Sequence, residues 1–419
     1  MDSLTYGKTV ASGMVADIAE YVPMAAVVSG MQRRDARYML RSALRRVTSL
    51  PRVRSCGLTL GTDILVRRKD GVHHFASVRR KKDDEQHYPG MSTCGYSWVC
   101  PVCAAKVRAH RANEVSRAVV SALAQGFDAI FVTQTIPHSA HDKLGVTLNL
   151  LGEGRRYVAN ARFVKALRRG AGYLGSVTAK EINYGQHGWH PHAHSIEFYE
   201  RPVSLQNFSN LSLVYYEYLD WFYSQHGFDG LSRVNGVRLD QVQLGGEALA
   251  RYVTKLRDGS ALRLHTAHEV TRFDLKQGRA GSLTPFDVIC EFLVTGDTAL
   301  LDLWHEFERE VKGKNAIRFT EGLRERLLPD EADKTDPALA ALKVGGVDVV
   351  RIAGWFYRKI ARVPGLEGKI LTALDTGGFP ALVELLTVYR LDDPDKYQWL
   401  EDEALDDAGG YYSIKESEG

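Results

Sequence analysis

Residues 177–184 and 189–199 form two runs of alternating side chains, separated only by Gly185-Gln186-His187-Gly188. Two glycines bounding so short a connection predict an antiparallel β-hairpin, and a hairpin of this kind fixes its own register. With the turn centred between Gln186 and His187, Tyr184 faces Trp189 and Glu181 faces His192. Strand side chains alternate, so His190, His192 and His194 share one face, the last two about 7 Å apart along the backbone. Directly opposed residues also share a face, which adds Glu181.

Two imidazoles and a carboxylate on one sheet face can chelate a divalent ion while leaving positions open for phosphate oxygens and water. Mixed nitrogen and oxygen donors suit Mn²⁺ or Mg²⁺ and do not exclude zinc. His190 is the rival to Glu181 as third ligand, and a half-exposed histidine face without metal is the plain alternative.

A second constellation lies downstream. In Gly246-Glu247-Ala248-Leu249-Ala250-Arg251-Tyr252-Val253-Thr254-Lys255, helical spacing puts Tyr252 and Lys255 on one face. A tyrosyl oxygen is a poor nucleophile at neutral pH, because its pKa lies near 10. A metal-polarised phosphate and a nearby ammonium would both favour its attack. Alone, a tyrosine beside a helical lysine is usually packing, so the segment gains weight only from the histidines.

Cys94, Cys100 and Cys103 give C-x5-C-x2-C, whose closing knuckle, carrying Pro101, is a familiar zinc geometry. Cys56 is the natural fourth ligand, with His74 and His87 as alternatives. Cys290, between Ile289 and Phe292-Leu293, reads as core. The start of the chain has no apolar run with a cleavage site, so a reducing cytoplasmic setting is expected, in which cysteines bind metal more readily than they form disulfides. No apolar stretch is expected to span a bilayer, so no membrane role is anticipated. The composition, 44% hydrophobic and 25% charged, excludes a disordered or fibrous chain.

The net charge of +3 hides an asymmetry: residues 1–120 carry 20 Lys/Arg against 10 Asp/Glu, leaving −7 for the rest. A basic front half with Arg67-Arg68-Lys69 and Arg79-Arg80-Lys81-Lys82 suits a polyanionic partner, although each run could be a solvated loop tip. At 419 residues, two or three folded units are expected. Residues 1–54 read as a basic helical region. Residues 55–125 form a turn-rich cysteine segment closed by a helix over 104–124. Residues 126–285 are an α+β sheet domain with strands at 129–135, 177–184, 189–199 and 237–244. Helices are expected there at 157–169, at 245–257 and after Ser204, which caps the last of these. Residues 286–330 continue with a helix around Trp304. Residues 331–419 follow a linker as an all-helical region with an acidic tail.

These residues resemble a known family. The order Thr133-Gln134-Thr135-Ile136-Pro137-His138, Gly188-Trp189-His190-Pro191-His192-Ala193-His194 and Tyr252-Val253-Thr254-Lys255 is similar to motifs 1, 2 and 3 of HUH-class rolling-circle Rep proteins. Cys94-Gly95, Trp98 and Cys100-Pro101-Val102-Cys103 match a further motif, and Trp304 and Gly322-Leu323-Arg324 extend the likeness to about residue 330. The resemblance implies a five-stranded antiparallel sheet similar to an RNA-recognition fold, flanked by helices, with a zinc-binding segment before it and a helical region after. It implies metal at His192 and His194, and attack by Tyr252 on single-stranded origin DNA to leave a 5′-phosphotyrosine and a 3′-OH primer. A helicase and the host DNA polymerase are the implied partners.

One departure concerns termination. Some relatives place a glutamate four residues before the tyrosine, where this chain has Ala248. Glu247 lies one residue further away, about 140° around the helix. Asp240, Asp258 or the Tyr252 of a second protomer in a homodimer are the alternatives. A relaxase or single-strand transposase of the same superfamily is a competing reading, disfavoured by the order of motifs and by the cysteines. A zinc-stabilised DNA-binding regulator would need neither the histidines nor Tyr252, and a zinc hydrolase would leave Tyr252 without a role.

Overall fold

The computed structural model describes residues 34–58, 65–68, 71–80, 86–244, 282–329, 347–393 and 396–399. Their architecture is α+β, built on two antiparallel sheets.

The first sheet centres on the hairpin of β5 (Tyr173–Gly185) and β6 (Gly188–Tyr199), closed by Gln186 and His187. Gly188 has φ +81°, and a Cβ there would meet the backbone of Ser139 and Ala140 at 3.0–3.1 Å, so the turn requires glycine on two grounds. Beyond β6 come β4 (Asp128–Thr135) and then β7 (Val237–Gln241); β8 (Ser282–Leu283) pairs with β5 on its other side. Among the described residues this sheet has six strands, beside the five that the resemblance implied. β8 covers only Tyr184 and Gly185 of the long β5, and β9 (Ile317–Phe319) pairs with Val177–Ala179 further along the same edge.

Helices cover both faces of this sheet. α4 (Leu144–Ala159), α5 (Arg162–Ala171) and α6 (Leu205–Ser224) share one core with Ile130, Val132, Tyr199 and Leu239. The break between α4 and α5 divides what the sequence reads as one helix over 157–169. Ser204 caps α6 as expected, its side chain accepting from the Asn207 amide. Leu211, Tyr215, Leu219 and Phe222 face inward, whereas Leu205 in the first turn stays exposed. The opposite core joins Phe131, Ile196 and Phe198 to α3 (Pro101–Ala124), α7 (Pro285–Thr295) and α8 (Thr298–Val311), with Cys290 and Trp304 fully buried.

The second sheet was not legible as such. β2 (Gly71–Arg80), with β1 (Leu65–Arg68) and β3 (Gln86–His87) beside it, pairs with β10 (Val347–Ala353), which pairs with β11 (Tyr397–Trp399). The region after the linker is therefore not all-helical: Val347, Val349, Val350 and Ile352 supply β-branched side chains to a strand whose partner lies near the start of the chain. α1 (Arg34–Val47) and the short α2 (Pro51–Arg54) come from the front of the chain, α10 (Gly354–Ile360) and α11 (Leu366–Val388) from the back. The five-residue α9 (Leu323–Leu327) joins the larger core.

Buried Glu367 on α11 accepts from Arg41 and Arg45 of α1 and from Tyr357 of α10, fastening the two chain ends together. Contrary to the sequence expectation, α11 is by length and composition apolar enough to cross a membrane. Gly378 breaks its helical backbone midway, however, and Leu366, Ile370, Leu371, Leu382 and Leu386 are buried in the protein core.

Candidate metal centres

The hairpin register is the one expected: Tyr184 opposes Trp189 and Glu181 opposes His192. The Glu181 carboxylate sits between two imidazoles, its Oε2 3.2 Å from His192 Nε2 and 3.4 Å from His194 Nε2. Ligand atoms of all three lie within 4.8 Å of one another, close enough for one ion. His190 turns elsewhere, its Nδ1 3.4 Å from Nδ1 of His138. Burial, followed by the neighbouring His192 and His138, lowers the His190 pKa to about 4.

The neighbours of the cluster orient it. Thr133, opposite His194 on β4, has its Oγ1 3.1 Å from His194 Nδ1. With the Nδ1 proton donated to that hydroxyl, Nε2 keeps its lone pair toward Glu181. Phe131 stacks on the His194 ring at 5.6 Å and 6°. Asn183 Nδ2 donates to Glu181 Oε1 at 3.3 Å. The face opens into a cleft of about 1340 Å³, bounded by His138, the hairpin turn, residues 227–235 and Arg238.

The second cluster is closed. Cys56, Cys94, Cys100 and Cys103 are all buried, with Sγ separations of 3.6 Å for Cys56–Cys103 and Cys94–Cys103 and 3.7 Å for Cys56–Cys100. A tetrahedron of sulfurs about 2.3 Å from zinc has edges of about 3.8 Å, so the donor set fits that ion. Cys56 completes the set from just beyond α2. His87 lies outside it, and the side chain of His74 falls outside the described residues. Hydrogen bonds from Cys100, Cys103 and Cys94 pull the Cys56 pKa down, while burial pushes Cys100 well up. Thiol protons crowded into one buried site are what a thiophilic cation displaces on binding.

The sheet does not account for every candidate. Tyr252 and Lys255, with Glu247, Ala248 and Asp258, lie outside the described residues. Asp240 is on β7, opposite Phe131 and 2.8 Å from Arg238 in an exposed ion pair. Sequence reasoning overlooked the orienting roles of Thr133 and Asn183. Asn183 could have been found from the register, two residues along the strand from Glu181.

The described residues thus define an α+β protein with two candidate metal sites, one an open histidine–carboxylate cluster and the other a closed set of four thiols. Over 319 residues the chain is 29% identical to "Protein rep" of Streptomyces lividans, covering 61% of this chain and 69% of that protein. It is 34% identical over 132 residues to a "Neomycin resistance protein" of Streptomyces cyanogenus, 26% of this chain and 30% of the relative. The first of these likenesses bears out the resemblance to Rep proteins read from the order of the motifs. No family model and no solved structure matches the chain.

Proposed function

We propose that this chain is a plasmid replication initiator of the rolling-circle type, which nicks single-stranded DNA at its origin and becomes joined to the new 5′ end. The observation that carries the reading is Glu181 lodged between His192 and His194 on a sheet face that opens to a cleft. The likeness to a Rep protein supports it.

Glu181, His192 and His194 would hold Mn²⁺ or Mg²⁺, which supplies Lewis-acid polarisation of the scissile phosphate. Thr133 and Asn183 keep the ligand atoms aimed at one point. The Tyr252 phenol gives up its proton to solvent as its oxygen attacks phosphorus, the P–O3′ bond breaks, and the departing 3′ oxygen takes a proton from solvent to become the primer hydroxyl. Lys255 offsets the charge developing on the phosphate. Cys56, Cys94, Cys100 and Cys103 would hold structural zinc, and the host polymerase extends the primer while a helicase separates the strands.

The test is incubation with labelled single strands tiled across the chain's own replicon, with and without Mn²⁺, followed by denaturing gels. A metal-dependent protein–DNA adduct is expected, and Tyr252→Phe should abolish it. DNA binding without any adduct would favour a non-catalytic regulator, and an adduct persisting in Tyr252→Phe would assign the nucleophile elsewhere.

A further inference from the structure

The second sheet leads into a helix whose outward face is cationic and aromatic. On α10 and the turn after it, the exposed positions are Trp355, Arg358, Lys359 and Arg362. That is i, i+3, i+4 and i+7, one side of a helix. Phe356, Tyr357, Ile360 and Ala361 between them are buried, so the face is anchored from beneath. Trp355 leaves 45% of its surface open. Lys359 Nζ lies 5.1 Å and Lys396 Nζ 5.2 Å from its ring centroid.

Among the described residues, the acidic neighbours do not neutralise this face. Asp393 pairs with Lys396 at 3.5 Å, but that exposed pair is weak and screened. Asp348, on the adjoining strand, is taken up by Arg79 at 2.7 Å. Among the described residues, Arg358 and Arg362 have no carboxylate within ion-pair distance.

We propose that this face binds single-stranded DNA, with one unpaired base stacked on Trp355 and neighbouring phosphates held by Arg358, Lys359, Arg362 and Lys396. A π-face accepts any base, and the two ammonium groups now over the indole are free to move to phosphates when a base replaces them. A duplex keeps its base faces buried, which would leave the indole without a partner. The face shares no residue with the histidine cleft, so it can hold a strand, such as the one displaced during replication, away from the nicking site. The inference rests on the reading of the chain as a DNA-acting protein, though not on the tyrosine chemistry.

Binding of the full chain to an oligothymidylate of roughly 30 nucleotides, and to a duplex of equal length, tests it at several salt concentrations. Trp355→Ala should weaken single-strand binding by about 5- to 150-fold, with Trp355→Phe keeping most of it and duplex binding little changed. Arg358→Gln with Arg362→Gln should lower the slope of log K against log salt by about 1.4, two phosphates at roughly 0.7 each. Melting curves that overlay wild type would show that these surface variants remain folded. Wild-type affinity in Trp355→Ala, or an unchanged salt slope in the double variant, overturns the proposal. So does an equal loss on the duplex, which would make the face a duplex phosphate surface. The adduct gel is read separately: its failure removes the nicking reading and leaves this binding result standing.

Discussion

The two candidate metal centres differ in every respect that separates holding a fold from doing chemistry. Four sulfurs surround one point and are shut away from solvent, whereas two imidazoles and a carboxylate face a cleft with room for further ligands. Closed coordination makes metal binding part of folding, and open coordination leaves the ion free to meet a substrate. Their supports differ as well. The cysteines come from loops and a helix end spread over residues 56–103, far apart in sequence and brought together at one buried point. The histidines and Glu181 are positioned by a strand register that the hairpin turn sets locally.

The largest effect that could break this contrast comes from removing one ligand from each centre. Cys100→Ser should lose zinc and with it stability on the order of 10 kcal/mol, comparable to the whole margin of a domain, so that cooperative melting disappears. His194→Ala should melt within a few degrees of wild type while nicking falls by about 1000-fold, the equivalent of roughly 4 kcal/mol in the barrier. Calorimetry and metal analysis on both variants check this directly. If His194→Ala unfolds as Cys100→Ser does, both centres are structural and the functional reading loses its footing.

The contrast also shows what the sequence could disclose. The open centre was legible because a hairpin bounded by Gly185 and Gly188 sets its own register, and counting back from the turn reaches Glu181 opposite His192. The closed centre was legible through the Cys100-Pro101-Val102-Cys103 knuckle. What escaped were pairings across long stretches of chain. Arg79 meets Asp348 from 269 residues away, and nothing local in the short run of β10 announces β2 as its partner. The orienting role of Thr133 was hidden for the same reason: it meets His194 from 61 residues away, through a strand pairing that neither segment encodes alone.

Each layer also has a carboxylate buried beneath it. Glu367 ties α1 to α10 and α11, while Glu197 lies beneath the histidine-bearing sheet, accepting from Arg168 at 2.9 Å, Tyr199 at 2.6 Å and Tyr215 at 2.7 Å. Burial alone would raise the pKa of Glu197, but Arg168 and the two hydroxyls outweigh it and the net shift is downward. A carboxylate with a depressed folded pKa contributes stability that is fully present above its unfolded value, about 4.3, and is lost as pH falls through the folded one. Glu197→Gln should cost about 3 kcal/mol at neutral pH by stranding Arg168, and should flatten the acid side of the stability curve. Urea titrations between neutral and acid pH measure both effects. An unchanged acid slope would show that the sheet under the histidines is held by other groups.

The smallest effect expected is the most specific to the open centre. Thr133→Val keeps the shape of the side chain and removes the hydroxyl that faces His194 Nδ1. A neutral imidazole ligates through one nitrogen only if its proton stays on the other, and a valine side chain on β4 offers that proton no acceptor. Loss of such an orienting partner typically weakens metal binding by about 10- to 100-fold. Mn²⁺ affinity should fall in that range, nicking should recover at saturating Mn²⁺, and zinc content should not change, because Thr133 touches none of the cysteines. An unaltered Mn²⁺ affinity would mean that the β5–β6 register alone fixes the imidazoles, making the open site more rigid than its exposure to the cleft suggests.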